Sequence, residues 1–549
     1  MPITTFLVNN AEQYPEDTAL VEINPASDRR RSDNWAEFAL VERDADGAYR
    51  REINWFDFNR RANQFANLLL ANGIGRGDKV AILLMNCVEW LPIYFGVLKA
   101  GAIAVPLNYR YTAEEIEYCL DLSEASLLLF GREFVQRVSD IRKRLNGVKK
   151  LFYVGGHCPE WAQSYYKFIS YCSGRSPNIE LGDEDEAVIY FSSGTTGFPK
   201  AILHNHRSLM HAALTEQSHH GQTREDCFLC MPPLYHTGAK MHWFGSLVSG
   251  SKAVLLRGIS PRWIMETIST EQVTIVWLLV PWAQDILDAI ENGEMRLENY
   301  DIARWRLMHI GAQPVPPSLI TQWKARFPGQ GYDTNYGLTE SIGPGCVHLG
   351  VGNIHKVGAI GIPGYGWQTK ITDAGGETVP DGEVGELAVR GPGVMICYYR
   401  DAAATEACLS SDGWLFTGDM ALIDEDGFIW LVDRKKDVII TGGENLYPVQ
   451  IENFLRHNEK IKDAAVIGLP HERLGEIAAA IIELKPGIEC SEKEIIEFCL
   501  SLPRYKRPRE IIFDTVPRNL TGKIEKPLLR KKYGGMAFLH QSPGFIPGG

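Results

Sequence analysis

The stretch Tyr190-Phe191-Ser192-Ser193-Gly194-Thr195-Thr196-Gly197-Phe198-Pro199-Lys200 limits what this chain can fold into more than any other. The apolar run Ala187-Val188-Ile189-Tyr190-Phe191 reads as a buried strand, and it feeds a loop of hydroxylated residues and glycines closed by a lysine. Such a loop can present backbone N–H groups and the hydroxyls of Ser192, Ser193, Thr195 and Thr196 to one anion. Gly194 and Gly197 admit positive φ and let the backbone approach a phosphate closely. Lys200 adds a point charge. The spacing is G-x-x-G-x-x-K, not the G-x-x-x-x-G-K-[ST] of a Walker loop, which counts against kinases and GTPases. A plain surface turn is the competing reading; the strand before the loop and the lysine after it weigh against that.

Around this loop the chain alternates helical and strand patterns. Phe56 to Gly73 carries apolar residues at helical spacing (Phe58, Ala62, Phe65, Ala66, Leu69) and ends in glycine. Lys79 to Met85 and Ala102 to Pro106 read as strands on either side of a helix over Val88 to Ala100. The rhythm continues through strands at Ser126 to Phe130, Ala187 to Phe191, Ala253 to Leu256 and Thr274 to Leu279. It predicts an α/β fold: a large N-terminal domain of layered α/β subdomains with largely parallel sheets. From about residue 360 the texture turns to glycine, proline and short strands (385–390, 414–417, 421–424, 427–432), a β-rich lobe to about 435. A charged stretch, Asp433-Arg434-Lys435-Lys436-Asp437, precedes a compact α+β segment, so the domains are set at 1–435 and 436–549. Ser27 to Tyr49, which holds Arg29-Arg30-Arg31, reads as an exposed loop or hairpin, and Pro543 to Gly549 as a disordered end.

At 549 residues the chain has material for two or three domains. A net charge of −12 argues against nucleic-acid binding and against docking on an anionic membrane. No cationic-then-apolar leader precedes Leu20, and no run is long enough to span a bilayer. Eleven scattered cysteines point to reduced thiols and a cytoplasmic location. Cys227 and Cys230 have metal-pair spacing but lack a second pair, so core cysteines are the better reading over zinc.

Further motifs follow the loop in order: Pro233-Leu234-Tyr235-His236-Thr237-Gly238, Asp333-Thr334-Asn335-Tyr336-Gly337-Leu338-Thr339-Glu340, Thr417-Gly418-Asp419, the 433–437 stretch, Gly442-Gly443-Glu444-Asn445 and Asn519-Leu520-Thr521-Gly522-Lys523. Together they closely resemble the adenylate-forming superfamily of acyl-CoA synthetases, adenylation domains and luciferases, from about Phe56 to Lys526. The resemblance implies ATP, Mg²⁺ and coenzyme A as cofactors, and a small mobile C-terminal domain. Ser192 to Gly197 and Lys200 would hold the β- and γ-phosphates, and Thr339 the α-phosphate. Glu340 would ligate Mg²⁺. Ala312, Gln313 and the segment Asp333-Thr334-Asn335-Tyr336-Gly337 would frame the nucleotide, with Tyr336 offering a face to adenine. Asp419 suits the ribose hydroxyls and Arg434 the ribose or a phosphate; either, taken alone, also reads as half of a surface ion pair.

Lys523 would bridge the carboxylate and the α-phosphate during adenylation, where charge develops. His236 either lies beside the acyl site and moves between half-reactions or is a core histidine satisfied by a carbonyl. Thioester formation needs a second arrangement: Lys436 is the implied hinge, and Gly442, Gly443 and Glu444 would line a pantetheine tunnel. That favours an acyl-CoA synthetase over a luciferase-type oxygenase. It leaves open a ligase loading a carrier protein, since both thiols are phosphopantetheine. A non-catalytic acyl or nucleotide sensor and a kinase-like ATPase are further alternatives. The implied acyl pocket comprises His236, Thr237, Gly238, Trp282, Gly337, Ile342 and Gly343. Trp243 and Trp282 would shorten it, favouring a compact medium-chain, branched, alicyclic or aromatic acid. Lys240 either points inward, to meet a polar group or a second carboxylate on the acid, or outward into solvent; outward is the favoured expectation, because burying an unpaired ammonium is costly. No Asp follows His236 to anchor a substrate ammonium, which disfavours an amino acid. The protein partner expectation is a monomer or homodimer.

Overall fold

The computed structural model describes residues 1–27, 48–192, 199–311, 315–348, 354–441, 444–471, 473–518 and 524–534. They pack into two compact units. The first comprises Met1–Thr372, Leu387–Thr417 and Ile423–Trp430; the second Asp373–Glu386, Gly418–Leu422 and the chain from Leu431.

Two large sheets dominate the first unit. One has eight strands in the order Cys397–Tyr398, Lys200–Asn205, Glu186–Ser192, Ile103–Pro106, Lys79–Leu83, Ala125–Gly131, Lys150–Val154 and Gln163–Ser164. Its strands run parallel from Glu186–Ser192 to Gln163–Ser164, and the other end is antiparallel. The second has nine strands, with a parallel middle (Gly331–Gly337, Leu307–Gly311, Ile275–Leu279, Cys227–Cys230, Lys252–Leu256, Thr18–Ile23) and antiparallel edges. The central strands are almost wholly buried, as a parallel sheet covered on both faces requires. The predicted mixed α/β class and its largely parallel sheets are what is found.

Helix Trp55–Ala71 starts where Asn54 caps it by accepting from the Asp57 N–H, and its apolar face packs on Trp90–Lys99, every residue of which is buried. Phe58 and Phe95 of these helices close on Trp243, with ring centroids 5.9 Å and 5.8 Å away. Trp243 is therefore core and not a pocket wall, a correction: helix Thr237–Ser249 turns that side toward the neighbouring helices. The two short strands expected at 414–417 and 421–424 are one strand, Leu415–Ile423. Gly418 keeps the chain continuous by adopting φ +71°, which its missing Cβ permits.

In the second unit the long hairpin Ile461–His471 and Gly475–Leu484 pairs on one side with Ile439–Thr441 and, in parallel, with Glu510–Phe513. Helices Pro448–Arg456 and Lys526–Tyr533 cover it. The cysteines whose side chains are described carry free thiols, and Cys227 and Cys230 are buried, with burial pushing each thiol up to about 12. Among the described residues no helix is long and apolar enough to cross a membrane. The expectations for Ser27 to Tyr49 and Pro543 to Gly549 fall almost wholly outside the described residues.

Candidate active site

The strand Glu186–Ser192 returns as the antiparallel strand Lys200–Asn205, with Ser192 opposite Lys200. The anion loop is thus the tip of a hairpin. A Walker loop instead passes from a strand into a helix, so the topology separates the two as the spacing does. Ser193, Gly194, Thr195, Thr196 and Gly197 lie outside the described residues, as do Ala312 and Gln313, Gly442 and Gly443, and Lys523; of Glu444 only the backbone is described.

Lys200 emerges from the hairpin with its ammonium 4.6 Å from the ring centroid of Tyr398. The Tyr398 hydroxyl donates to Glu340 Oε1 at 2.7 Å. Burial and the Glu340 carboxylate both push the phenol upward from its ordinary value, so it stays a donor. The Glu340 carbonyl accepts from the Met395 N–H at 2.8 Å, and the Thr339 carbonyl lies 2.8 Å from His204 Nε2. Burial lowers His204 to about 4. The ring is neutral at pH 7, with its proton on Nε2 where the carbonyl accepts it. Strands Lys200–Asn205 and Cys397–Tyr398, with Met395 just before the second, thereby hold the short turn Thr339–Ser341. The next residue, Ile342, is buried with φ +48°, a strained conformation for a β-branched residue, maintained by its surroundings at this turn. Glu340 remains partly exposed, and its hard oxygens suit Mg²⁺.

Tyr336 closes the strand Gly331–Gly337 with a largely buried ring, and Gly337 is exposed. Thr334 Oγ1 stands 3.5 Å from where a Cβ on Gly311 would be, next to the Ala312-Gln313 segment. Asp333 departs from the nucleotide role expected of it. Its carboxylate is buried, 2.5 Å from His309 Nδ1, and burial raises it to about 8. Alternation along the strand turns it into a buried histidine cluster.

His236 caps helix Thr237–Ser249, its N–H donating to Pro233 O at 3.0 Å and its ring centroid 4.4 Å from that of Tyr235. It is half-buried, in a loop. Thr237 opens the helix. At Gly238 a Cβ would stand 2.9 Å from Cη2 of Trp277 on strand Ile275–Leu279, so only glycine fits beneath that indole. A Cβ on Gly343 would meet Ala212 Cβ at 3.2 Å and Met241 Sδ at 3.6 Å. Trp282 is buried on helix Val280–Glu291. Trp277, which the sequence reading missed, is the indole against Gly238. It sits in an unbroken apolar run, where nothing marks one face from the other.

Lys240 corrects the expectation that it points outward. It is wholly buried. Its ammonium donates to Leu234 O at 2.7 Å and lies 4.3 to 5.1 Å from the ring centroids of Trp90, Tyr94 and Tyr190. An aromatic cage and one carbonyl offset part of the desolvation that the expectation treated as prohibitive. Burial drives its pKa well below the ordinary lysine value.

Within the second unit, Arg434 Nε meets Asp419 Oδ1 at 2.6 Å. Asp419 is buried, so this is more than a surface pair. The Gly418 N–H and Lys435 Nζ both donate to Glu386, at 3.0 and 2.7 Å. Lys436 is exposed in the short turn Lys435–Asp437, whose Asp437 pairs with Arg530 at 2.8 Å.

Residues 7–399 match the AMP-binding enzyme family and residues 450–523 its C-terminal domain. The chain belongs to the AMP-binding enzyme family. Within the adenylate-forming superfamily it is an acyl-CoA synthetase. It is 32% identical over 485 residues to a long-chain-fatty-acid–CoA ligase of Mycobacterium tuberculosis, covering 88% of this chain and 93% of that one. A feruloyl-CoA synthase of Amycolatopsis sp. is 30% identical, over 88% of this chain and 94% of that one. Among solved structures, an anthranilate CoA ligase in complex with anthranoyl-AMP superposes with a TM-score of 0.82 at 27% identity, covering 97% of each chain. Binding of ATP or AMP and use of coenzyme A go with membership of this AMP-binding family.

Proposed function

We propose that this AMP-binding enzyme activates a compact carboxylic acid as its acyl-adenylate and passes the acyl group to coenzyme A. The observation that carries the nucleotide half is the linkage of Lys200, Tyr398 and Glu340. It ties the lysine that closes the anion loop to the carboxylate suited to a metal. The acid's carboxylate attacks the α-phosphorus, a P–O bond forms, and pyrophosphate leaves. Negative charge grows on the phosphoryl oxygens, and fixed cations and donors lower that barrier. Lys200 and the hairpin-tip amides are assigned to the β- and γ-phosphates, Thr339 to the α-phosphate, Asp419 and Arg434 to the ribose, and Lys523 to the charge that develops on attack. Mg²⁺, held by Glu340, would shield the phosphate charge. In the second step a thiolate attacks the acyl carbon and AMP leaves; Lys436 is assigned as hinge and 442–444 as the pantetheine channel. The boundary between the two working parts is placed at 435/436. The enzyme is taken to be cytoplasmic, a monomer or homodimer.

The compact-acid reading rests on Gly238 under Trp277 and on Gly343 against Met241 and Ala212, where space is limited by an indole and by close packing. The relatives' names cover long-chain fatty, feruloyl and anthranilate acids. A cyclic or aromatic acid agrees best with a flat indole wall. The test is coenzyme-A-dependent AMP formation across a panel of acids, with Lys523→Ala alongside. A cyclic or aromatic acid should give AMP, pyrophosphate and a thioester, and the variant should lose adenylation yet still thioesterify supplied acyl-adenylate. Acyl transfer only to a holo carrier protein, or nucleotide binding without pyrophosphate release, would overturn the coenzyme A reading.

A further inference from the structure

Four histidines and two carboxylates meet in the interior of the first unit, outside the groups assigned to catalysis. His219 and His220 end helix His206–His220, with Glu216 one turn earlier. His242 comes from helix Thr237–Ser249, His309 from strand Leu307–Gly311 and Asp333 from the neighbouring strand. Their side chains are 5% exposed or less. One ring nitrogen from each of His220, His242 and His309 lies within 4.8 Å of the others, and so do donor atoms of Glu216, His219 and His220.

The contacts divide into an inner and an outer set. His309 Nδ1 is 2.5 Å from Asp333 Oδ1, His220 Nε2 is 3.5 Å from Asp333 Oδ2, and the two ring nitrogens are 3.1 Å from each other. At the far end of its ring, His309 Nε2 is buried without a hydrogen-bond partner. Glu216 Oε2 is likewise unpartnered, while Oε1 stands 3.0 Å from His220 Nδ1 and in contact with His242 Nδ1. Buried donors and acceptors normally find partners, so unpartnered His309 Nε2 and Glu216 Oε2 within a cluster of ligand-type side chains call for an occupant. A carboxylate behind an imidazole fixes the ring and leaves its other nitrogen for a metal, an arrangement characteristic of zinc ligands.

We propose that His220, His242, His309 and Glu216 bind one divalent transition-metal ion of the zinc class, with Asp333 orienting His309 and His220 from behind. Three imidazoles and one carboxylate are a tetrahedral nitrogen–oxygen set for such an ion. The site is closed to solvent and offers no open position, so its role is structural and it loads as the chain folds. His242 packs at 4.3 Å on Trp277, the indole over Gly238, so the ion would brace the wall of the proposed acyl pocket. The inference does not depend on the acid or thiol proposed above.

The test uses the full chain, made without a histidine tag and refolded from denaturant with either Zn²⁺ or chelator, followed by gel filtration and metal analysis. About one equivalent of zinc per chain is expected after refolding with Zn²⁺, together with a higher melting temperature than the chelator-treated protein. Co²⁺ in its place should give the intense visible bands of a tetrahedral site. His242→Gln and His309→Gln should each lower retention at least tenfold, whereas replacing the exposed His157, His355 and His457 with alanine should leave it unchanged. Less than about 0.1 equivalent in the wild-type chain, with no shift in melting temperature, overturns the proposal whether or not the variants fold. So does retention that disappears only in the exposed-histidine variant.

Discussion

Removing one hydroxyl, Tyr398→Phe, tests the linkage between the anion loop and Glu340, the carboxylate proposed to hold Mg²⁺. The ring stays, and with it the 4.6 Å approach of the Lys200 ammonium; only the 2.7 Å bond to Glu340 Oε1 is lost. A hydrogen bond to a charged group contributes about 1.5–3 kcal/mol, and partial exposure of Glu340 puts this one near 1.5. If the hydroxyl fixes Glu340 in its working position, leaving Oε2 to face the metal, the loss appears in the transition state as about a tenfold fall in kcat/KM for Mg·ATP. Pyrophosphate release at saturating acid, with Mg·ATP varied, measures it. The melting temperature should fall only slightly, because the phenyl ring still fills the space. Activity within twofold of wild type would refute the idea that this hydroxyl positions Glu340, and a gain would mean the bond restrains Glu340 in a resting state.

Two other perturbations follow from buried charges. Lys240→Met keeps the volume and removes a buried amine whose desolvation its cage offsets only in part, so stability in urea should change by less than about 1.5 kcal/mol, against about 3 for the cavity left by Lys240→Ala. The lysine's folded pKa is depressed, so the wild type should gain stability as pH rises toward the ordinary lysine value, and the Met variant should lack that gain; a Met variant far less stable than Ala would sink the argument. Asp433 accepts from the Arg434 and Val449 N–H groups, yet burial raises it from 3.8 to about 6. The folded state therefore holds that proton more tightly, and this carboxyl's contribution is full below pH 3.8 and lost as pH rises to about 6, roughly 3 kcal/mol in all. Hydrogen exchange of the second unit's amides should show this slope, flattened in Asp433→Asn; an unchanged slope would assign it to another group.

The parallel strands and their helices were legible because apolar runs of strand length and amphipathic spacing are local properties. Lys79–Leu83, Ala125–Gly131 and Trp55–Ala71 could be read within a residue or two. The order of motifs was equally visible, since each is contiguous. What failed were inferences about direction. Lys240 was expected outside because a lone ammonium is costly to bury, and nothing nearby in sequence revealed that Trp90, Tyr94 and Tyr190 would surround it. Trp243 was read as a pocket wall and lies in the core.

By itself, then, the sequence determined the family, the α/β class, the anion loop after its strand and the candidate groups, because those depend on short-range pattern and on residue types a chemistry needs. Only the tertiary structure decided which of these groups meet. Tyr398 joins Lys200 to Glu340 across 198 and 58 residues of chain, and Asp333 turns from a nucleotide segment toward His220 and His309. Such encounters depend on sheet order and on which face of a strand is inward. Both arise from the packing of distant elements and leave no periodic trace in the chain.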